Sequence, residues 1–152
     1  MNLSLTILSV LMITAATWDV WQRRIPNPLI LAGLLLGGAL GFQDGGLVGL
    51  GSALLGATVA LLVLIVPFAT RHMGGGDVKM MMVAGAFLGW SLVLQAIIAG
   101  TAIHGVLALA FLFARRAARA TGRELPPAAQ VPHAIGFAIA TLGAAFGLFR
   151  FW

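Results

Sequence analysis

The sequence contains no cysteine and has few charged residues. Without cysteine the chain can form neither a disulfide bond nor a thiolate metal site. Charged residues make up 9% of the 152 positions, and only four of them are acidic. A soluble domain carries about 25% charged residues, so this composition does not fit an ordinary soluble domain.

Apolar residues are abundant instead, at 61% of the chain with a mean hydropathy of +1.05. The apolar runs follow one another closely, which leaves no room for a second, soluble domain. We therefore predict that residues 1–152 form a single transmembrane domain in contact with the lipid bilayer. The net charge of +5 resides in short loops between the runs. There we expect it to set topology and to contact anionic lipid rather than nucleic acid.

The apolar residues fall into six stretches that we interpret as transmembrane helices, an all-α bundle. A crossing needs about 20 residues at 1.5 Å of rise each. The tract from Met80 to Ala114 is too long for one crossing, and Gly89-Trp90-Ser91 divides it into a short fourth and a full fifth span. Asn27 suits an N-cap and Pro28 a first helical position for the second span. The remaining predicted spans cover residues 3–18, 28–42, 46–68 and 132–151.

The basic residues favour six spans over five. With six spans, eight of the nine Lys and Arg residues lie on one side of the membrane and Arg150 lies on the other. Cytoplasmic loops are enriched in Lys and Arg, so we predict that both termini lie outside. We expect the first span to be retained, because Arg23 and Arg24 follow it and no basic residue precedes it, the reverse of a secretory signal.

Two of the four acids are expected at the same cytoplasmic boundary. Asp19 follows the first span and Asp77 precedes the fourth, and one or three crossings return the chain to the same side. We interpret Asp44 as a turn residue on the far side and Glu124 as part of a solvated ion pair among arginines. An acid this close to hydrocarbon is by default a candidate functional residue.

Two neighbouring carboxyl groups share one proton and can hold a water between them, an arrangement suited to peptide hydrolysis without a metal. The alternative is that both acids cap helices or pair with Arg23, Arg24 or Lys79. Three consecutive glycines precede Asp77 and permit unusual backbone conformations or the close approach of another chain.

Other polar and aromatic residues have ordinary interpretations. We interpret His104 as a packing residue, and a metal site that combines His72 or His133 with the acids is a minor alternative. Trp18, Trp21, Trp90 and Trp152 fall near predicted interfaces, where tryptophan anchors a helix. The Met80-Met81-Met82 run suits adaptable packing, and the glycines inside the spans suit close helix contacts.

The run Gly74-Gly75-Gly76-Asp77 fits the Gly-x-Gly-Asp motif of intramembrane aspartic proteases. With Asp19 six residues before Ile25-Pro26-Asn27, and with Lys79 two residues after Asp77, the sequence resembles the prepilin peptidases. It is similar to the short form that serves Flp-type (tight-adherence) pili. The resemblance implies that Asp19 and Asp77 are the catalytic pair. It also implies residues that shape the site or bind substrate: Gly74, Gly75, Gly76, Lys79, Pro26 and Asn27.

The same resemblance implies a partner and a location. The substrate is the basic N-terminal leader of a prepilin or pseudopilin, cut on the cytoplasmic side of a bacterial inner membrane, with no cofactor and no metal. Longer members carry a segment with paired cysteines and also N-methylate the new terminus. The stretch from Asp19 to Pro28 leaves no space for that segment, so N-methyltransferase activity is not expected. Two alternatives from other classes are an ion-coupled transporter and a structural subunit of a secretion machine.

Overall fold

The computed structural model of the chain describes residues 3–22, 25–120 and 133–148. These ranges form four helices and contain no strand. The helices are α1 (Leu3–Gln22), α2 (Asn27–Ala69), α3 (Gly75–Ala120) and α4 (His133–Ala145). The prediction of an all-α fold is confirmed.

Glycines interrupt both long helices. Helix α2 leaves helical geometry at Gly45 and Gly46, where Gly46 has φ 57° and ψ −138°. Helix α3 does so at Gly89, with φ 76° and ψ 175°. A positive φ is open to glycine because it has no Cβ. The described chain therefore has six helical segments, and the breaks lie where the sequence predicted them.

The two long helices have the composition of membrane spans. The stretches Asn27–Ala69 and Gly75–Arg116 are long and apolar enough to cross a membrane, while Leu3–Asp19 and Gly136–Ala145 are shorter apolar helices. Large apolar side chains point outward along these helices, including Leu35, Val48, Leu54, Val106 and Phe113. An apolar outer surface of this extent suggests insertion in a membrane.

Glycines also allow helices to touch. The backbones of Gly56 in α2 and Gly85 in α3 are in direct contact, so a side chain on either would collide with the other helix. A Cβ on Gly33 would lie 2.7 Å from Val83 Cγ1, and one on Gly100 would lie 2.6 Å from Phe137 Cδ1. The packing role predicted for the glycines inside the spans is confirmed for Gly33, Gly56 and Gly100, whereas a Cβ on Gly51 would meet nothing within 4 Å.

The core of the bundle joins all four described helices, and its residues from α2 include Ala60 and Leu64. Met80 and Met81 are fully buried, and Thr141 Oγ1 donates to Met81 Sδ at 3.7 Å. The methionines therefore serve in packing, as the sequence predicted. On α1, Leu8 and Met12 contribute to the same core.

Two predictions about local structure are corrected. Asn27 is not the N-cap of α2; Pro26 is, with φ −61° and ψ 131° and no side-chain cap. The Asn27 carboxamide instead accepts a hydrogen bond from Lys79, which takes it away from the helix end. Helix α3 begins at Gly75, so Gly75 and Gly76 are helical rather than irregular, and neither has a positive φ.

Helix α4 is shorter than the predicted span, because it ends at Ala145 and a turn with Gly147 at φ 76° follows. Several other predictions fall outside the described residues, namely those on Arg23, Arg24, Arg123, Glu124, Pro132, Arg150 and Trp152 and on the side chains of Arg119 and His133.

Candidate active site

Helix α1 carries Asp19 on its buried face. The buried positions Leu8, Met12 and Ala15 follow one another at spacings of four and three. The same spacing continues to Asp19 and then to Gln22, and positions three or four apart share one face of a helix. The apolar stripe of α1 therefore turns the Asp19 carboxyl toward the interior of the bundle in the last turn of the helix.

Asp77 lies in the first turn of α3, and its side chain is 6% exposed. The buried residues Met81 and Ala84 follow it at spacings of four and seven, so Asp77 belongs to the inward face of this helix. Its backbone N–H donates to the Gly74 carbonyl at 3.2 Å. An acid in the first turn also lies near the positive end of the helix dipole.

The two acids line the same pocket, an open cavity of about 610 Å³. They come from opposite ends of different helices and are close enough to interact electrostatically. All eight residues singled out from the sequence line this pocket: Asp19, Pro26, Asn27, Gly74, Gly75, Gly76, Asp77 and Lys79. The fold therefore gathers residues from the α1–α2 connection and from the start of α3 around one space.

The three glycines form one wall of the pocket, where a Cβ would make tight contacts with neighbouring atoms. A Cβ on Gly75 would lie 3.1 Å from Phe68 Cε2, and one on Gly76 would lie 3.2 Å from Ile25 Cγ1. A Cβ on Gly74 would lie 3.3 Å from Asp77 Oδ2. The glycines thus allow the start of α3 to sit against α2 and the α1–α2 connection. They also leave the space beside the Asp77 carboxyl open.

A hydrogen bond between Lys79 and Asn27 closes another side of the pocket. Lys79 Nζ donates to Asn27 Oδ1 at 2.8 Å, although the two residues are 52 positions apart in sequence. The bond connects the first turn of α2 to the beginning of α3. The ammonium group of Lys79 is therefore directed at a neutral amide oxygen.

A comparison with known families assigns the chain. The model of the type IV leader peptidase family matches residues 6–114. This match covers most of the 152 residues and includes both acids of the pocket. The chain belongs to the type IV leader peptidase family. No curated protein and no solved structure matches it.

Membership in the leader peptidase family confirms the resemblance to prepilin peptidases. It indicates a peptidase, and therefore a hydrolase, whose substrate is of the prepilin type in general. The matched region covers most of α1, all of α2 and most of α3, so every described residue that lines the pocket falls within it.

Sequence reasoning gave three lining residues of this family member no firm role in a site: Trp18, Gln22 and Ile25. The sequence favours Trp18 as an interfacial anchor, yet it lines the pocket beside Asp19. The available signal was the i, i+4 spacing of Trp18 and Gln22 on either side of Asp19. That signal depends on α1 continuing to Gln22, four residues beyond the predicted span.

The histidines do not join the acids within the described part of the chain. His72 Nδ1 lies 3.0 Å from Thr70 Oγ1 at the exposed end of α2, and His72 does not line the pocket. His104 lies in α3 beyond the break at Gly89. In the described ranges no group of three or more His, Cys, Asp or Glu residues could hold a metal ion.

Asp44 lies apart from the acid pair. It lines a second cavity of about 280 Å³ together with Ser4 and Gly89. Ser4 is at the start of α1, whereas Asp19 is at its end, so this cavity is at the opposite end of the bundle. Asp44 adjoins the break of α2 at Gly45 and Gly46, which agrees with its interpretation as a turn residue.

Proposed function

We propose that this member of the leader peptidase family is an intramembrane aspartic endopeptidase. It removes the short N-terminal leader of a prepilin or pseudopilin at the cytoplasmic boundary of the membrane. The observation that carries the proposal is the presence of Asp19 and Asp77 in one pocket. Family membership supports the peptidase class, and the paired carboxyl groups suggest how the peptide bond is hydrolysed.

The chemistry follows from two carboxyl groups that share one proton. The ionised carboxylate accepts a proton from a water, and the water oxygen attacks the carbonyl carbon of the scissile bond. The protonated carboxyl donates a hydrogen bond to the carbonyl oxygen, where negative charge develops. The tetrahedral intermediate then collapses, the C–N bond breaks, and the leaving amine receives a proton from a carboxyl group.

The glycine wall suits an extended peptide. The first N–H groups of a helix have no intrahelical partner, and Gly75 and Gly76 begin α3 and line the pocket. These N–H groups can therefore donate to the carbonyl groups of a bound strand. The pocket volume of about 610 Å³ lies in the range of binding pockets, about 300–1,000 Å³.

The membrane arrangement belongs to the same proposal. The six helical segments cross a bacterial inner membrane with both termini outside, and the pocket opens on the cytoplasmic side. The exposed apolar side chains then contact lipid. A prepilin helix in the bilayer brings its leader to the same boundary, where both acids occupy terminal turns of their helices.

The position of the acids favours this function over the two alternatives. A transporter that moves protons or ions is expected to carry its acid nearer the middle of the bilayer, whereas Asp19 and Asp77 lie in terminal turns. A structural subunit uses its acids to bind a partner's arginines, which needs no glycine wall beside them. The paired acids together with the wall favour hydrolysis.

The decisive experiment replaces each acid singly with asparagine, which keeps the size of the side chain and removes the carboxyl group. We expect Asp19→Asn and Asp77→Asn each to lower cleavage of a co-expressed prepilin by about 10²–10⁴-fold. Asp44→Asn is the matched control, since Asp44 lines the other cavity, and it should cut at the normal rate. Cleavage is measured as the ratio of processed to unprocessed prepilin.

Each contrary result has a clear meaning. Normal cleavage by either Asp19→Asn or Asp77→Asn, with both proteins folded in detergent, removes that residue from catalysis. Ion uptake that depends on the acids, in a protein that cuts no prepilin, assigns the chain to transport. If the unmodified protein cuts no prepilin, but pilus assembly is lost when the protein is removed, the chain has a structural role.

A further inference from the structure

Two tryptophans near the end of α1 differ in their surroundings. Trp18 lines the pocket with Asp19 and is 41% exposed. Trp21 is 87% exposed and is not among the described residues that line the pocket. A helix turns by about 100° per residue, so Trp18 lies about 40° around the helix from Gln22, whereas Trp21 lies about 160° from Asp19. One tryptophan therefore faces the pocket and the other faces outward.

The groups next to Trp18 favour a cation, although the Lys79 ammonium lines another part of the same pocket. Its described lining contains two carboxyl groups and one ammonium group, that of Lys79. That ammonium donates to the neutral amide oxygen of Asn27. The face of an indole ring carries partial negative charge and attracts Lys or Arg side chains. Trp18 and the acid pair thus present a surface of one electrostatic sign.

We propose that Trp18 forms one wall of a subsite for a cationic side chain of the substrate, beside the pair of acids. The proposal rests on the proposed function, because the cation belongs to the peptide that the acids hydrolyse. The stem of the cationic side chain packs along the indole, and its charged end lies near the carboxyl groups. This subsite also explains how a cytoplasmic face rich in basic residues can accept a basic substrate.

An interfacial anchor is the competing role, and it predicts a different pattern. Trp18 and Trp21 are three residues apart on the same helix, so they lie at similar depth in a membrane. As anchors they would contribute equally, and neither would affect the choice of substrate. As a subsite wall, Trp18 alone affects that choice. Trp21→Ala is therefore the matched control for Trp18→Ala.

The test uses the purified full chain in detergent and synthetic prepilin-type peptides. One residue on the N-terminal side of the cut is lysine, norleucine or glutamate in turn, and the substitution is moved along the leader. Norleucine keeps the length of lysine without its charge. The kcat and KM of cleavage are measured for the unmodified protein and for Trp18→Ala, Trp18→Phe and Trp21→Ala.

We expect the unmodified protein to prefer lysine over norleucine at one position by about tenfold in kcat/KM, mainly through KM. Trp18→Ala should bring that preference close to onefold, and Trp18→Phe should keep part of it because a phenyl face also attracts cations. Trp21→Ala should keep the full preference. If Trp18→Ala does not fold, a reduced preference in Trp18→Phe supports the subsite.

Three results overturn the subsite while the proposed function stands. These are no preference for lysine at any position, a full preference in Trp18→Ala, and equal losses in Trp18→Ala and Trp21→Ala. Failure of the proposed function looks different. In that case the unmodified protein cuts none of the peptides, or Asp77→Asn cuts them as well as the unmodified protein does, and the subsite falls with it.

Discussion

Asp77 is the buried acid among the three that the structure describes, Asp19, Asp44 and Asp77. A carboxyl group removed from water loses its hydration, and this loss is large unless the surroundings compensate. A hydrogen bond from the Gly74 backbone to the Asp77 carboxyl and the position in the first turn of α3 offset part of it. A side chain of asparagine or leucine would avoid the loss. Retention of the acid therefore argues for chemistry at this position rather than for stability.

Gly76 offers a test of the glycine wall at the level of one methyl group. In Gly76→Ala the new Cβ would lie 3.2 Å from Ile25 Cγ1, and Ile25 is itself buried. Overpacking of a buried contact costs about 1–3 kcal/mol. We expect Gly76→Ala to melt at a lower temperature in detergent than the unmodified protein and to cut prepilin more slowly.

Gly105→Ala is the matched control for this prediction. Gly105 lies on the same helix, but a Cβ there would meet no atom within 4 Å. Alanine is the better helix former by about 0.5–1 kcal/mol, so the control should melt at the same temperature or higher. A Gly76→Ala protein with the melting temperature and activity of Gly105→Ala would show that the wall tolerates a side chain.

At the scale of whole helices, the hydrogen bond between Lys79 and Asn27 connects α2 to α3. Lys79→Met removes the donor and Asn27→Ala the acceptor, and the start of α3 then loses one of its connections to α2. A hydrogen bond to a charged group contributes about 1.5–3 kcal/mol when shielded and less when exposed, as here. We therefore expect each variant to lower kcat of prepilin cleavage by about three- to tenfold.

The double variant decides whether the two side chains act as a pair. If they do, Lys79→Met combined with Asn27→Ala costs no more than either change alone. Lys79→Arg keeps a donor and should recover part of the rate. Additive losses in the double variant, or a lower melting temperature with an unchanged kcat, would mean that the bond does not position the site.

The features of the helices differ in how far the sequence predicts them. The breaks at Gly45, Gly46 and Gly89 were predictable, because glycine marks a break inside an apolar run of excessive length. Eight of the eleven described residues that line the pocket were predictable from the motif around Asp77 and the residues that accompany it. The cap of α2 was not predictable, because the Asn27 side chain accepts a hydrogen bond from Lys79, which is 52 positions away in sequence. Local rules cannot include such a contact.

The pocket side of Trp18 was missed for a related reason. Its neighbours in sequence make it a plausible anchor, and the apolar run that defined the first span ends at this residue. Helix α1 continues through polar positions to Gln22 because Asp19 and Gln22 extend its inward stripe. Only the packing of the stripe against the rest of the bundle distinguishes the inward tryptophan from the outward one.

At the scale of the whole molecule, the two segments of α2 form a hairpin. The backbones of Gly41 and Gly49 touch on either side of the break at Gly45 and Gly46. The start and end of α2 therefore lie at the same end of the bundle. Asn27 lines the pocket there, and Phe68 packs against Gly75. The hairpin places both ends of α2 around the acids and places Asp44 far from them.

This hairpin makes a prediction about membrane topology that the absence of cysteine makes easy to test. Single cysteines at Gly45→Cys and His72→Cys mark the tip and the end of α2, and both positions are exposed. If α2 crosses the membrane twice, a membrane-impermeant maleimide should label Gly45→Cys in intact spheroplasts and His72→Cys only in inverted vesicles. The cysteine-free chain supplies the background. Labelling of both positions from one side would show that α2 does not return across the bilayer, and the cytoplasmic placement of the pocket would have to be abandoned.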